Sequence, residues 1–297
     1  MRLSFRLHRN KKVLFAPSNS YSKVPLVVAE ITCKREELPS TIAKRAEVFL
    51  NSASKAGLKG WVAFSDTPFS DKKYFSMDDY LRMNLFKELP KENILPVLAI
   101  GDRTIQEISQ LVHQIQCLDI HKLLLVSGDG QTQQKRLDHI STTHALQNIP
   151  NLAKEFKLYT AAHFSKSKFQ RLQEKINLGA DGVILQPTYS EDNFKEFISN
   201  FKTLKDGRPL LACVTPVTNR NILKSLSRID ELSLGQDELE RLHSLSENEL
   251  RDEGLKLCLN NITMYYQNYD KLDGIYIYTR SHTLYDRVVD HIKNLNH

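Results

Sequence analysis

Short apolar runs recur along the chain, each followed by a stretch whose apolar residues fall at helical spacing. Leu26-Val27-Val28-Ala29-Glu30-Ile31 is the first run, and Thr41 to Lys55 follows with a helical pattern that stops near Gly57 and Gly60. Trp61 to Asp66 repeats it and leads, past Pro68, to a helix over Met77 to Leu89. Ile94 to Ile100 is the third run, with a helix from Thr104 to Cys117; Pro96 within it lacks a ladder donor and argues for a strand start or a bulge. Leu123 to Val126 is the fourth, ending at Ser127-Gly128-Asp129-Gly130, with Thr142 to Phe156 as its helix. Then come Lys157 to His163 with a basic helix from Lys166 to Leu178, and Asp181 to Gln186 with a helix from Glu191 to Phe201. Pro209 to Pro216 is the seventh run, followed by a long connection from Thr218 to Tyr269 holding several helical pieces. Gly274 to Tyr278 is the eighth, and His282 to Leu295 the closing helix.

The runs are continuous rather than alternating, as expected of strands buried on both faces of a parallel sheet. Strand-helix units repeated in this number predict an α/β fold, a single (β/α)8 barrel over residues 25–297. An open doubly wound sheet would announce a glycine fingerprint after one strand, and neither GxGxxG nor a P-loop is present. Residues 1–24 read separately as an N-terminal β-hairpin: Leu3, Phe5 and Leu7 alternate with Arg2, Ser4 and Arg6, and Val13-Leu14-Phe15 resumes after a polar turn. The lack of acids before Glu30 also fits an organellar presequence, but that would require an amphipathic helix. A cytoplasmic protein is therefore expected, with a mitochondrial presequence as the lesser alternative.

Composition narrows the function classes. At 41% hydrophobic and 26% charged residues the chain is an ordinary globular protein, and no apolar run is long enough to span a bilayer. Cys33, Cys117, Cys213 and Cys258 are far apart and form no CxxC pair, so neither a zinc site nor a disulfide framework is expected. The net charge of +6 is spread along the chain, which disfavours nucleic acid and suits a small polyanionic ligand.

In a barrel of this kind the chemistry lies at the C-terminal ends of the strands. Those ends carry Glu30, Asp66, Asp102 with Arg103, Asp129, His163, Gln186, Thr215, and Tyr278 with Thr279. A carboxylate in an apolar mouth can serve as a general acid, which makes Glu30 and Asp129 the first catalytic candidates. Asp102-Arg103 reads as a structural ion pair, and Tyr276 and Tyr278, alternating with isoleucine, read as packing residues. No metal spacing and no GxSxG elbow is present.

Several of these stretches together resemble one family, the flavin-dependent methylenetetrahydrofolate reductases. Val28-Ala29-Glu30-Ile31 is similar to the segment bearing the family's catalytic glutamate, and Phe64-Ser65-Asp66-Thr67-Pro68 to its Thr-Asp-Asn-Pro. Val126-Ser127-Gly128-Asp129 resembles Leu-(Arg/Thr)-Gly-Asp. Lys175 to Asp181 followed by Gln186-Pro187 resembles Lys-x-x-x-Gly-Ala-(Asp/Asn) with its Gln-Pro, and Thr215-Pro216-Val217-Thr218-Asn219 resembles the family's seventh-strand motif. The resemblance implies FAD-mediated reduction of 5,10-methylenetetrahydrofolate to 5-methyltetrahydrofolate, as in one-carbon metabolism and methionine biosynthesis. It assigns Glu30 as general acid opening the five-membered ring, and Asp129 to flavin and pterin. Gln186, with Asp66 and Thr215, would bind the substrate; Ser127, Gly128, Asp129 and His163 would line the FAD site, and Lys175 would hold the FAD phosphates.

Three departures bear on the cofactors. His163 stands where the family has a flavin-packing tyrosine, the following loop is shortened to Ser165-Lys166-Ser167, and Arg220 replaces an aromatic residue after the seventh strand. These leave NAD(P)H or another reductant as alternative electron donors. They also motivate a rival, a non-catalytic folate- or flavin-binding barrel, as a homo-oligomer or as the subunit of a redox partner protein; a second rival, a pterin-dependent methyltransferase, rests on related barrels that hold methylated pterins.

Overall fold

The structure is a computed structural model that describes residues 24–66, 73–101, 103–127, 141–149, 152–164, 166–204, 207–226, 234–269, 271–279 and 284–295. The expected N-terminal hairpin, Asp102, Gly128 and Asp129 lie outside the described residues. Eight parallel strands close into a barrel in sequence order: β1 (Leu26–Ile31), β2 (Lys59–Ser65), β3 (Ile94–Ala99), β4 (Lys122–Val126), β5 (Lys157–Ala162), β6 (Gly182–Leu185), β7 (Leu210–Val214) and β8 (Gly274–Tyr278). Around them run α1 (Pro39–Lys55), α2 (Met77–Arg82), α3 (Ile105–Gln116), α4 (Thr142–Asn148), α5 (Leu152–Glu155), α6 (Lys166–Asn177) and α7 (Glu191–Phe201). The long connection after β7 supplies α8 (Arg220–Leu226), α9 (Gln236–Ser244) and α10 (Glu247–Asn268), and α11 (Tyr285–Leu295) closes the chain. This is the expected (β/α)8 barrel, and none of its described helices is long and apolar enough to cross a membrane.

Local chemistry moved some boundaries. The helix expected over Met77 to Leu89 stops at Arg82, because Asn84 takes a left-handed conformation (φ 55°) and the chain continues as a 3-10 turn, Leu85–Lys87. The helix expected over Thr142 to Phe156 is two pieces, α4 and α5, in keeping with Pro150 between them. Pro96 lies within the β2–β3 ladder, opposite Phe64, but the ladder to β4 begins only at Val97, so its missing donor falls at the edge of that pairing.

Alternation splits the strand side chains into two separate cores. Val27, Ala29, Val62, Phe64, Leu98, Leu125, Ala162, Leu185, Ala212 and Ile277 face outward into one cluster with the helices. Leu26, Val28, Trp61, Ala63, Val97, Leu124, Tyr159, Ile184, Cys213 and Tyr276 fill the barrel itself. Trp61 and Tyr159 meet edge to face inside it, with centroids 5.7 Å apart. Gly182 makes the room: a Cβ there would collide with the Tyr159 ring.

At the N-terminal end of the barrel Lys59 and Lys122 lie over the Trp61 ring, at 5.6 Å and 4.9 Å, and Lys157 lies over Tyr159 at 5.9 Å. Burial, reinforced by Lys59, pulls the Lys122 ammonium down to about 8. The folded protein therefore releases this proton before the unfolded chain does, and stability rises with pH between about 8 and the ordinary lysine range. Trp61 is the only tryptophan in the chain. Its fluorescence should change with a midpoint near pH 8 as the overlying charge is lost, and Lys122→Met should abolish that transition; an unchanged titration in the variant would show that another group is responsible.

Candidate functional site

The same alternation decides which strand-end residues reach the mouth. Continuing the barrel-facing positions to the C-terminal ends brings together Glu30, Ser65, Val126, His163, Gln186, Thr215 and Tyr278. Asp66 has the opposite parity, that of Val62 and Phe64.

Glu30 is the best-supported group in this layer. It is buried, and both carboxylate oxygens are engaged: Ser65 Oγ donates to Oε1, and the Tyr276 hydroxyl donates to Oε2 at 2.7 Å. The Tyr285 hydroxyl, from α11, donates to the Glu30 backbone carbonyl at 2.8 Å and ties the strand end to the helix layer. Burial, and then the Glu30 carboxylate, push the Tyr276 phenol well above its ordinary range, so it remains a donor. The same two causes raise the Cys213 thiol. Ser65 and Tyr276, which hold this carboxylate, are residues that reading the strand ends overlooked. Tyr276 does pack inside the barrel, as its spacing suggested, but its hydroxyl serves the carboxylate.

Across the mouth, Gln186 continues the β5–β6 ladder, its N–H donating to the Ala162 carbonyl at 2.9 Å. Its half-buried side-chain amide makes no hydrogen bond among the described residues. Thr215 Oγ1 is buried beside the Cys213 thiol and has no oxygen or nitrogen partner among the described residues. His163 stands at the barrel-facing end of β5, half-buried, while the next residue, Phe164, packs on Phe197.

The loops carrying Gln186 and Thr215 are held from α10. The Tyr265 hydroxyl donates to the Thr188 carbonyl at 2.9 Å and accepts from the Thr188 N–H at 3.1 Å, and Asn261 Nδ2 donates to the same carbonyl at 2.7 Å. Tyr189 donates to the Thr215 carbonyl at 2.8 Å. Gly254 lets α10 approach this region, since a Cβ there would collide with the Val217 carbonyl. Nothing in the hydrophobic pattern of the long connection pointed to these contacts.

Two expected site residues, Asp66 and Lys175, are engaged in holding the scaffold. Asp66 is a buried structural anion: Arg103 donates to both of its oxygens at 2.9 and 3.0 Å, and the Met77 and Ala99 N–H groups donate at 2.7 and 3.1 Å. Burial pushes its carboxyl up, opposed by Arg103 and these N–H donors; Arg103, which burial alone would depress, is held above its ordinary value by Asp66 and Asp78. Arg103 is ion-paired with both Asp66 and Asp78, while Asp102, the partner anticipated for it, lies outside the described residues. Lys175 lies near the C-terminal end of α6, which leads down to the start of β6, and its ammonium donates to the Ala161 carbonyl at 3.1 Å. It bridges α6 to β5 instead of facing the mouth, and burial, with Arg171 nearby, pulls it down to about 8. The Gly179-Ala180-Asp181 part of the same motif also builds the barrel: Gly179 has φ 106°, and the Asp181 carboxylate accepts the Leu158 N–H at 2.9 Å. Ser127, at the C-terminal end of β4, is exposed, and its carbonyl accepts from the Gly101 N–H at 2.9 Å.

Among the described residues no group of His, Cys, Asp and Glu could hold a metal ion. The mouth instead offers a held carboxylate, an amide with both donor and acceptor capacity and a buried hydroxyl, a set suited to a flat heterocycle with polar edges. A family model for methylenetetrahydrofolate reductase matches residues 92–284. The chain belongs to that family. Its barrel is also similar to a solved structure of an uncharacterized protein from Clostridium thermocellum that binds two copies of 5-methyl-5,6,7,8-tetrahydrofolic acid. The likeness has a TM-score of 0.68 at 15% identity over 92% of this chain and 96% of that one. At that identity it speaks for the fold alone, here the barrel of the methylenetetrahydrofolate reductase family.

The Asp66–Arg103 pair holds the ends of β2 and β3 and the start of α2, and removing one partner leaves the other charged and buried. Arg103→Met should therefore lower unfolding free energy by about 3–5 kcal/mol in a urea titration. A loss below about 1 kcal/mol, the range of exposed pairs, would contradict this placement.

Proposed function

We propose that the protein reduces 5,10-methylenetetrahydrofolate to 5-methyltetrahydrofolate, with FAD as cofactor. The observation that carries this reading is Glu30: a carboxylate facing into the mouth, held on both oxygens, with the half-buried Gln186 amide three strands away around the ring. Folate binding in the Clostridium thermocellum protein of the same fold supports the substrate class.

In this reading Glu30 supplies the proton that opens the five-membered ring and makes the one-carbon unit electrophilic. Gln186, whose amide can donate and accept at once, orients the amide-like edge of the pterin, and Thr215 offers a second polar contact. FAD, when bound, supplies the hydride, and the barrel orients the reactants and excludes water. His163, at the end of β5, and the turn at Ser127, Gly128 and Asp129 are the residues proposed to border the flavin. Asp129 is also proposed to contact the pterin.

The phosphate end of FAD has less support, because Lys175 is buried and donates to the Ala161 carbonyl. That observation favours, as a second reading, a barrel that binds folate without flavin redox chemistry.

The absorption spectrum of the purified protein separates the two. The reductase reading expects a yellow protein, or one reconstituted by FAD, that oxidises methyltetrahydrofolate with an artificial acceptor. Glu30→Gln should keep the flavin and lose turnover by about 10²- to 10⁴-fold. Methyltetrahydrofolate binding in calorimetry without bound flavin or turnover would select the second reading.

A further inference from the structure

Glu30 is gripped at two different depths. In the β1–β8 ladder Tyr276 stands opposite Val28 and Tyr278 opposite Glu30, so the phenol reaches Oε2 from one layer below. In the β1–β2 ladder Glu30 stands opposite Ala63, and Ser65 lies two residues beyond, one layer nearer the mouth. The group between Glu30 and the open end of the barrel on this side is therefore the Ser65 hydroxyl, on Oε1. The two partners are not equivalent. Tyr276 is buried in the barrel core, one layer further from the mouth. Ser65, buried like Glu30, ends β2 one layer nearer the mouth and carries a hydroxyl, which can accept one proton while donating another.

We propose that Ser65 relays the acidic proton of Glu30 to the substrate, while Tyr276 positions Glu30 by occupying its other oxygen. In the acid form, with the phenol still donating to Oε2, the exchangeable proton of Glu30 resides on Oε1, and the Ser65 hydroxyl, which donates to the carboxylate, turns to accept it and points its own proton to the substrate. The Oε1–H bond breaks as a new Ser65 Oγ–H bond forms. The original Oγ–H bond breaks as an N–H bond forms on the ring nitrogen of the folate. The ring C–N bond then opens, its electron pair going to that nitrogen. Glu30 ends as a carboxylate, Ser65 is regenerated, and no oxidant or reductant enters this step.

The inference rests on the reductase reading of the mouth, and its test keeps the two apart. Holoenzyme reduced with dithionite is mixed with methylenetetrahydrofolate, and flavin reoxidation is followed by absorbance in a single turnover. Ser65→Ala should slow this step by about 10²-fold, the scale of an acid-base contribution. Its affinity for methyltetrahydrofolate, measured by calorimetry, should stay within about 2-fold of wild type, a difference well under the 1.4 kcal/mol of a tenfold change. Ser65→Thr, which keeps a hydroxyl, should recover most of the rate. In mixtures of light and heavy water the wild-type rate should bend with deuterium fraction, as two protons move together, and the bend should flatten in Ser65→Ala and in the near-isosteric Ser65→Cys. Wild-type rate in Ser65→Ala, with Glu30→Gln inactive, would overturn the relay and leave the reductase reading standing. A reconstituted wild-type protein that never reoxidises would overturn both.

Discussion

A closed sheet of eight parallel strands has no solvent-facing side, and every strand residue must enter either the barrel or the layer beneath the helices. This constraint governs the rest of the molecule. Along β1 and β2 it sends Val28, Glu30, Ala63 and Ser65 inward and Ala29, Val62, Phe64 and Asp66 outward. Two carboxylates at adjacent strand ends, close in chemistry, thereby receive opposite tasks. Asp66 is surrounded by a guanidinium and two backbone donors and has no capacity left for a ligand, whereas Glu30 is held by hydroxyls in the layer that opens to the mouth. The difference is worth several kcal/mol of solvation and pairing, and it is decided by one residue of register.

Precision at the rim comes from outside the strands. A half-buried amide such as Gln186 is useful only if its backbone is immobile, and the strand ladder holds it at one side only. The hydrogen bonds from Tyr265 and Asn261 to Thr188, and from Tyr189 to Thr215, supply the other side. Those from Tyr265 and Asn261 exist because α10 comes close enough, which Gly254 permits at the contact with Val217. A glycine inside a long helix costs helical stability of roughly 1 kcal/mol relative to alanine, and here the cost secures the loops that carry two candidate substrate contacts.

The architecture was legible because strand and helix periods differ and the units repeat without interruption; Glu191–Phe201 and Gly274–Tyr278 are bounded in the structure as their patterns predicted. Glu30 and Gln186 were legible because a lone polar residue at the end of an apolar run is conspicuous. The inward face was not. Strands buried on both sides carry no hydrophobic alternation, so nothing in Trp61 to Asp66 distinguished Ser65 from Asp66, and the more strongly charged residue drew attention. Tyr276 was hidden for the opposite reason, since an aromatic residue alternating with isoleucine is an ordinary core pattern and its hydroxyl partner lies 246 residues away in sequence. Lys175 belonged to a family-like motif, yet its position on a helix running away from the mouth makes that motif part of the scaffold.

The stretch matched by the family model begins at residue 92, after β1 and β2, so Glu30 and Ser65 fall outside it while Gln186, Thr215 and Tyr276 fall inside. Family membership and the proposed proton donor are thus carried by different parts of the chain. What joins them is barrel closure: β1 pairs with β8 in register from Leu26 opposite Gly274 to Glu30 opposite Tyr278, and Tyr276 reaches across that seam to Glu30. A shift of one residue at the seam would turn the phenol away from the carboxylate and send Glu30 into the outer layer beside Ala29 and Ile31. The closing ladder and the hydrogen bond it enables are therefore a single device, through which the matched stretch of the barrel holds a carboxylate that lies outside it.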